Sequence, residues 1–208
     1  MATHCYNKIG STARMTGRPG QPQRSETPLH SAYETRKMDM TEIQQTHPFN
    51  CPTFHLIRQF FDPEVLKART EYLGARDLTI SRNQFDGESG VLVFSRDLPA
   101  PSDIPAALKR FQRPWNRVDY TETWKRDGDA HFRGEVQAQI HGVPVSVRTH
   151  FHLEALTEET CVNHIRVQFE SGIPLLGKLL EKVASQDTDQ QLQAEYRFFQ
   201  ALLSPETA

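Results

Sequence analysis

From Phe132 to Phe169 the chain alternates apolar and polar residues with hardly a break, and that alternation restricts the fold more than any other feature. Phe132, Gly134, Val136, Ala138 and Ile140 alternate with His131, Arg133, Glu135, Gln137 and Gln139. Val143, Val145, Val147, Thr149, Phe151 and Leu153 alternate with Ser146, Arg148, His150 and His152; Ile165, Val167 and Phe169 alternate with His164, Arg166 and Gln168. Successive side chains on a strand point to opposite faces, so each segment reads as a strand with one greasy and one wet side. Turn residues at Asp127-Gly128, His141-Gly142 and Glu158-Glu159 fall at the breaks, which predicts an antiparallel meander.

The flanking sequence completes the element order. Residues 41–47 read as a short strand, and Pro52 opens an apolar helical stretch through Phe54, Ile57, Phe60 and Phe61. Asp62-Pro63 supplies a cap and first position for a second short helix reaching Tyr72. Strands follow at 76–85 and 91–98 around Asp86-Gly87, then a Pro-rich crossover at 99–113 with one short helix. Further strands are expected at 115–126, 130–140, 143–156 and 160–171. From Pro174 a helical spacing of Leu176, Leu179, Leu180 and Val183 resumes at Ala194, Phe198, Ala201 and Leu202. The polar run 185–191 interrupts that face without a Pro or Gly to end the helix. The fold class is α+β, with a long C-terminal helix covering one face of the sheet.

Composition narrows the function. Apolar residues make up 37% of the 208, leaner than an average globular chain, which predicts that part of the chain is unstructured. That part is residues 1–39, rich in turn chemistry and without periodicity; Met38 or Met40 offers a later start of translation. The folded domain is expected over 40–208. A net charge of -2 removes electrostatic nucleic-acid binding as a default. No run approaches the roughly 18 apolar residues of a membrane-spanning helix, so no integral membrane association is expected. Cys5, Cys51 and Cys161 are widely spaced, odd in number and without a CxxC pair, which fits a cytoplasmic, reducing setting. Cys51 reads as a small buried residue. No phosphate loop, GxGxxG, HExxH or GxSxG occurs, and no cofactor or metal is expected.

Register sharpens the picture. A turn at His141-Gly142 pairs Val136 with Val147 and Glu135 with Arg148. A three-residue loop, Asp127 to Asp129, pairs Trp124 with Phe132, Glu122 with Gly134 and Tyr120 with Val136, keeping the aromatic residues with the core. Glu122 then points inward on an apolar face. It is either a polar anchor or general acid/base in a cavity, or an interior ion pair with Arg82 or Arg96, or a rim carboxylate reaching water. His131, His152 and His164 fall in one row across adjacent strands, on the wet side and without a carboxylate, and read as a solvated face.

The residues also carry a resemblance. Phe61-Asp62-Pro63 with Ala68-Arg69, Glu71-Tyr72-Leu73-Gly74-Ala75, Leu98-Pro99 and Ile104-Pro105-Ala106 belong to it. So do Thr121-Glu122-Thr123-Trp124, Gly142-Val143-Pro144-Val145-Ser146-Val147, Ile173-Pro174-Leu175-Leu176-Gly177-Lys178, Glu181-Lys182 and Glu195. Together, from about Thr41 to Leu203, they resemble the START-like, birch-pollen-allergen-like superfamily, and within it the bacterial domain of unknown function 2505. Where that family often has a glycine after Pro-Val-Ser-Val, this chain has Arg148, Thr149 and His150.

The resemblance implies a helix-grip fold, a curved antiparallel sheet wrapped around the C-terminal helix, with a hydrophobic cavity for lipids, polyketides or similar molecules. The expected partner is thus a hydrophobic small molecule. Its expected contacts are Phe94, Tyr120, Glu122, Trp124, Phe132, Val136, Val147, Phe151, Ile165, Val167, Phe169, Leu180, Val183 and Phe198. Such a reading requires a cavity of roughly 300 Å³ or more. The alternatives are a cyclase- or hydrolase-type enzyme using Glu122, or a co-chaperone- or toxin-like module acting through an exposed apolar patch. The family motifs are structural and assign no catalytic residue.

Overall fold

The computed structural model describes residues 41–101 and 104–204; the expectations for residues 1–39 lie outside them. Strand β1 (Thr41–Phe49) leads to helices α1 (Thr53–Phe61) and α2 (Pro63–Tyr72). A single residue, Asp62, separates the helices. Its Oδ1 accepts the backbone N–H of Glu64 at 2.8 Å and of Val65 at 3.2 Å, while Pro63 brings no N–H to the open first turn. Cys51, just before α1, is buried, as is Cys161.

Next come β2 (Arg76–Phe85), β3 (Ser89–Pro99), a short 3-10 helix (Ala106–Phe111), β4 (Trp115–Arg126), β5 (Phe132–Ile140), β6 (Ser146–Ala155), β7 (Cys161–Glu170) and α3 (Gly177–Leu203). All seven strands join one antiparallel, curved, open sheet in the order β1-β7-β6-β5-β4-β3-β2. Neighbours in sequence are neighbours in space except β1, which pairs with β7 and brings the chain's first strand beside its last. Helix α3 runs unbroken for 27 residues, through the polar segment 185–191, over the inner face of the sheet. This is the helix-grip fold.

Both expected hairpin registers need correction. The β4–β5 connection runs from Asp127 to His131, closed by the Asp127 N–H on the His131 carbonyl at 2.9 Å. Trp124 therefore faces Gly134, Glu122 faces Val136, Tyr120 faces Ala138, and Phe132 faces Arg126. The reason is steric: a Cβ at Gly134 would sit 2.7 Å from Trp124 Cδ2, so the indole lies over the glycine. After β5 the chain makes a longer loop through Pro144, which cannot donate to a ladder; β6 starts at Ser146. Val136 then faces Thr149, and Val147 faces Ala138. Glu135 faces His150 and meets Arg148 diagonally, Nε to Oε1 at 3.4 Å. Each slip is an even number of residues, so every side chain keeps its expected face.

The inner face holds two main apolar clusters. One gathers Phe60, Phe61, Leu92, Phe94, Trp124, Phe132 and Leu153 beneath α1, α2 and the end of α3. The other packs Val147, Val167 and Phe169 against Leu180, with Val183 at its edge.

Candidate functional site

Between these clusters the interior is not filled. A cavity of about 160 Å³ lies between the sheet and the middle of α3. Strands β3 to β7 supply Phe94, Trp124, Phe151, Val147 and Ile165 to its wall, and α3 covers it with Ala184, Asp187, Thr188, Gln191 and Leu192. Leucines set the start of α3 down on β6 and β7. Where the helix turns polar it has no such side chains to insert, and space remains.

Eight expected contacts come together here: Phe94, Tyr120, Glu122, Trp124, Val136, Val147, Phe151 and Ile165 all line the cavity. The other expected contacts do not. Phe132 is packed among Phe54 and Phe85, with ring centroids 6.4 and 6.3 Å away. Val167, Phe169, Leu180 and Val183 fill the second cluster, because the first turns of α3 press directly onto that end of the sheet. Phe198 lies against Tyr72 and Phe199, at 5.5 and 5.3 Å.

The cavity wall also holds charge. Arg69 of α2 and Arg96 of β3 are 7% and 2% exposed, and Glu195 of α3 bridges them. Arg96 Nη2 donates to Glu195 Oε1 at 3.3 Å, and Arg69 Nη1 lies 3.9 Å from Oε2. The Arg96 guanidinium also lies over the Tyr120 ring, 5.2 Å from its centroid. Glu122 is 6% exposed and accepts the Trp124 indole N–H at 2.5 Å. Burial raises its pKa above the ordinary carboxyl range, opposed chiefly by the Arg69 charge and the indole hydrogen bond. Neither arginine expected to pair with Glu122 does so. Arg82 is exposed and bonds Gln84, and Arg96 is committed to Glu195.

His47, buried and stacked on Tyr196 at 4.3 Å, completes one side of the wall. Burial holds its pKa down at about 4, against the pull of Glu195. Asp187 is raised by burial, opposed by a 2.8 Å hydrogen bond from Gln191.

Sequence reasoning missed Arg69, Glu195 and His47 as wall residues. Arg96 was legible as inward-facing, since it shares the face of Phe94 on β3. The polar segment 185–191 was the signal for where the helix leaves space.

At about 160 Å³ the cavity falls short of the roughly 300 Å³ that drug-sized ligands occupy. It is close to the ~150 Å³ of an engineered apolar cavity that takes up benzene. α1, α2 and their phenylalanines occupy the rest of the interior. Two wider hollows, of about 810 and 530 Å³, are lined largely by polar residues of the outer face. On that face His131, His152 and His164 do form a row, with successive ring centroids 6.2 Å apart. Among the described residues no group of three or more potential ligands is placed to hold a metal ion. Among them, too, no helix is long and apolar enough to cross a membrane.

Solved structures share this architecture. The Zhui aromatase/cyclase from Streptomyces sp. R1128 is 9% identical with a TM-score of 0.55, over 79% of this chain and 93% of that one. Human STARD10 is 13% identical with a TM-score of 0.52, over 79% of this chain and 66% of that one. The human StarD13 lipid transfer and protein localization domain is 11% identical with a TM-score of 0.51, over 80% and 78%. At such identities the likeness shows the fold. No curated protein matches the sequence. The family described as protein of unknown function (DUF2505) matches residues 44–203, and with its START-like helix-grip fold the chain belongs to that family.

Proposed function

We propose that this protein binds a small hydrophobic molecule in the cavity between the sheet and α3. The observation that carries this reading is the unfilled, mostly apolar space under the polar middle of α3, with aromatic walls from Phe94, Trp124 and Phe151. A helix meant only to close a core would continue its leucine face through that segment, as it does at Leu179 and Leu180. The fold points the same way, since its neighbours include a domain named for lipid transfer and an aromatase/cyclase. A space of this size fits a guest of one ring or a short chain.

Native mass spectrometry of the full chain purified from its own host tests the reading. The expected result is a small noncovalent adduct that disappears on denaturation and is lost in Val136→Phe, whose larger side chain projects from the cavity wall. A bare mass for the wild-type protein, or an adduct that Val136→Phe retains while folded, would overturn it.

A further inference from the structure

The buried guanidiniums around the cavity are not fully paired. Two guanidiniums, on Arg69 and Arg96, face one carboxylate that contacts them, Glu195. The guanidiniums are also short of acceptors: Arg69 Nε, Arg96 Nε and Arg96 Nη1 are buried without a hydrogen-bond partner, and so is Asn163 Oδ1 nearby. Buried polar groups in folded proteins are nearly always paired, and a buried cation without full compensation is more demanding still.

The other ionisable groups on the wall have partners of their own. Glu122 directs Oε1 to the Trp124 indole, and burial favours its neutral form. Asp187 is engaged by Gln191, and burial favours its neutral form as well. His47 stacks on Tyr196, and Tyr120 meets Arg96 with both its ring face and its hydroxyl. The open nitrogens of the two guanidiniums remain without an acceptor.

We infer that the guest is a small amphipathic monocarboxylic acid whose carboxylate pairs with Arg96 and Arg69 and whose apolar end lies against Trp124, Phe151 and Ile165. This rests on the cavity-binding reading above and adds the chemical class. A carboxylate is planar, anionic and able to accept N–H groups from two guanidiniums at once, and open donors remain on both arginines. A neutral oxygen would accept a weaker bond, and an amine would add a third cation.

Calorimetric titration of the full chain at pH 7 with hexanoate, 1-hexanol and hexylamine, which share one chain length, separates the possibilities. Hexanoate is expected to bind at least roughly tenfold more tightly than 1-hexanol, with hexylamine weakest, as a charge-assisted pair requires. Arg96→Gln should abolish the preference for the acid over 1-hexanol. If that variant does not fold, Arg69→Gln is the second arm, expected to reduce the preference in the same direction. Equal or tighter binding of 1-hexanol by the wild-type protein would overturn the acid and leave the binding reading standing. Binding of none of the three would remove both. A preference for hexanoate that survives Arg96→Gln and Arg69→Gln would also overturn the assignment, since the carboxylate would be held elsewhere.

Discussion

The two ends of the inner sheet face solve the same problem differently. At the α1 end, rings close on rings: Phe61 stacks on Phe85 at 4.8 Å, and Phe54 and Phe85 flank Phe132. Under the middle of α3, the wall mixes aromatic residues with Arg69, Arg96, Glu122 and Glu195, and a cavity persists. Apolar side chains are free to interpenetrate until space is gone. Buried charged groups are held at fixed hydrogen-bonding distances from one another, and they keep the surrounding chain from collapsing inward. Fixed polar groups on the wall, together with the leucines that α3 lacks at 185–191, separate a core from a pocket in this molecule.

That comparison can be broken by measurement. The largest effect is expected at the filled end, where Phe132→Ala should cost about 3–5 kcal/mol in denaturant unfolding, because the ring is almost fully buried among close neighbours. A loss below about 1 kcal/mol would mean that this end is not densely packed after all. Next comes the boundary between the ends. Gly134→Ala forces a Cβ against the Trp124 indole, with an expected cost of about 1–3 kcal/mol and a shift in indole fluorescence as the ring moves off Glu122. An unchanged spectrum would place the indole elsewhere.

The smallest effect is confined to the polar end, in the dependence of stability on pH. His47 is favoured neutral, so its contribution is complete above pH 6.5 and is lost as pH falls toward about 4. Glu122 has the opposite sign. Its folded pKa is raised by burial, so its contribution is complete below the ordinary carboxyl range and is lost as pH rises through the elevated value. His47→Gln should flatten the profile below pH 6.5, and Glu122→Gln the profile above the ordinary carboxyl range. Unfolding curves across pH check both, and profiles superimposable on the wild type would show that neither group is held as the cavity wall holds it here.

Much of the fold was legible in local patterns. The bounds of β2 and β4 coincide with those read from the sequence, because alternation and turn residues are short-range signals. Registers were not, since they depend on which side chain occupies the space over Gly134 and on where Pro144 lets the ladder resume. The same division holds for the site. Glu122 and Trp124 share a strand face and could be placed from parity alone. Arg69 and Glu195 sit on different helices, and only the docking of α2 and α3 brings both to Arg96. Phe132 shows the converse: parity correctly turned it inward, but α1 had already claimed the space beside it.

Among the described residues the sheet does not close, and β1 and β2 each keep one margin without a strand partner. On β2 that margin is irregular. Its pairing with β3 shifts twice, Asp77 takes a positive φ of 54°, and Arg76, Asp77 and Arg82 are exposed along it. A strand so kinked and charged is a poor template for another chain to zip onto. An open half-barrel is thus guarded, along β2, against polymerising through its own backbone.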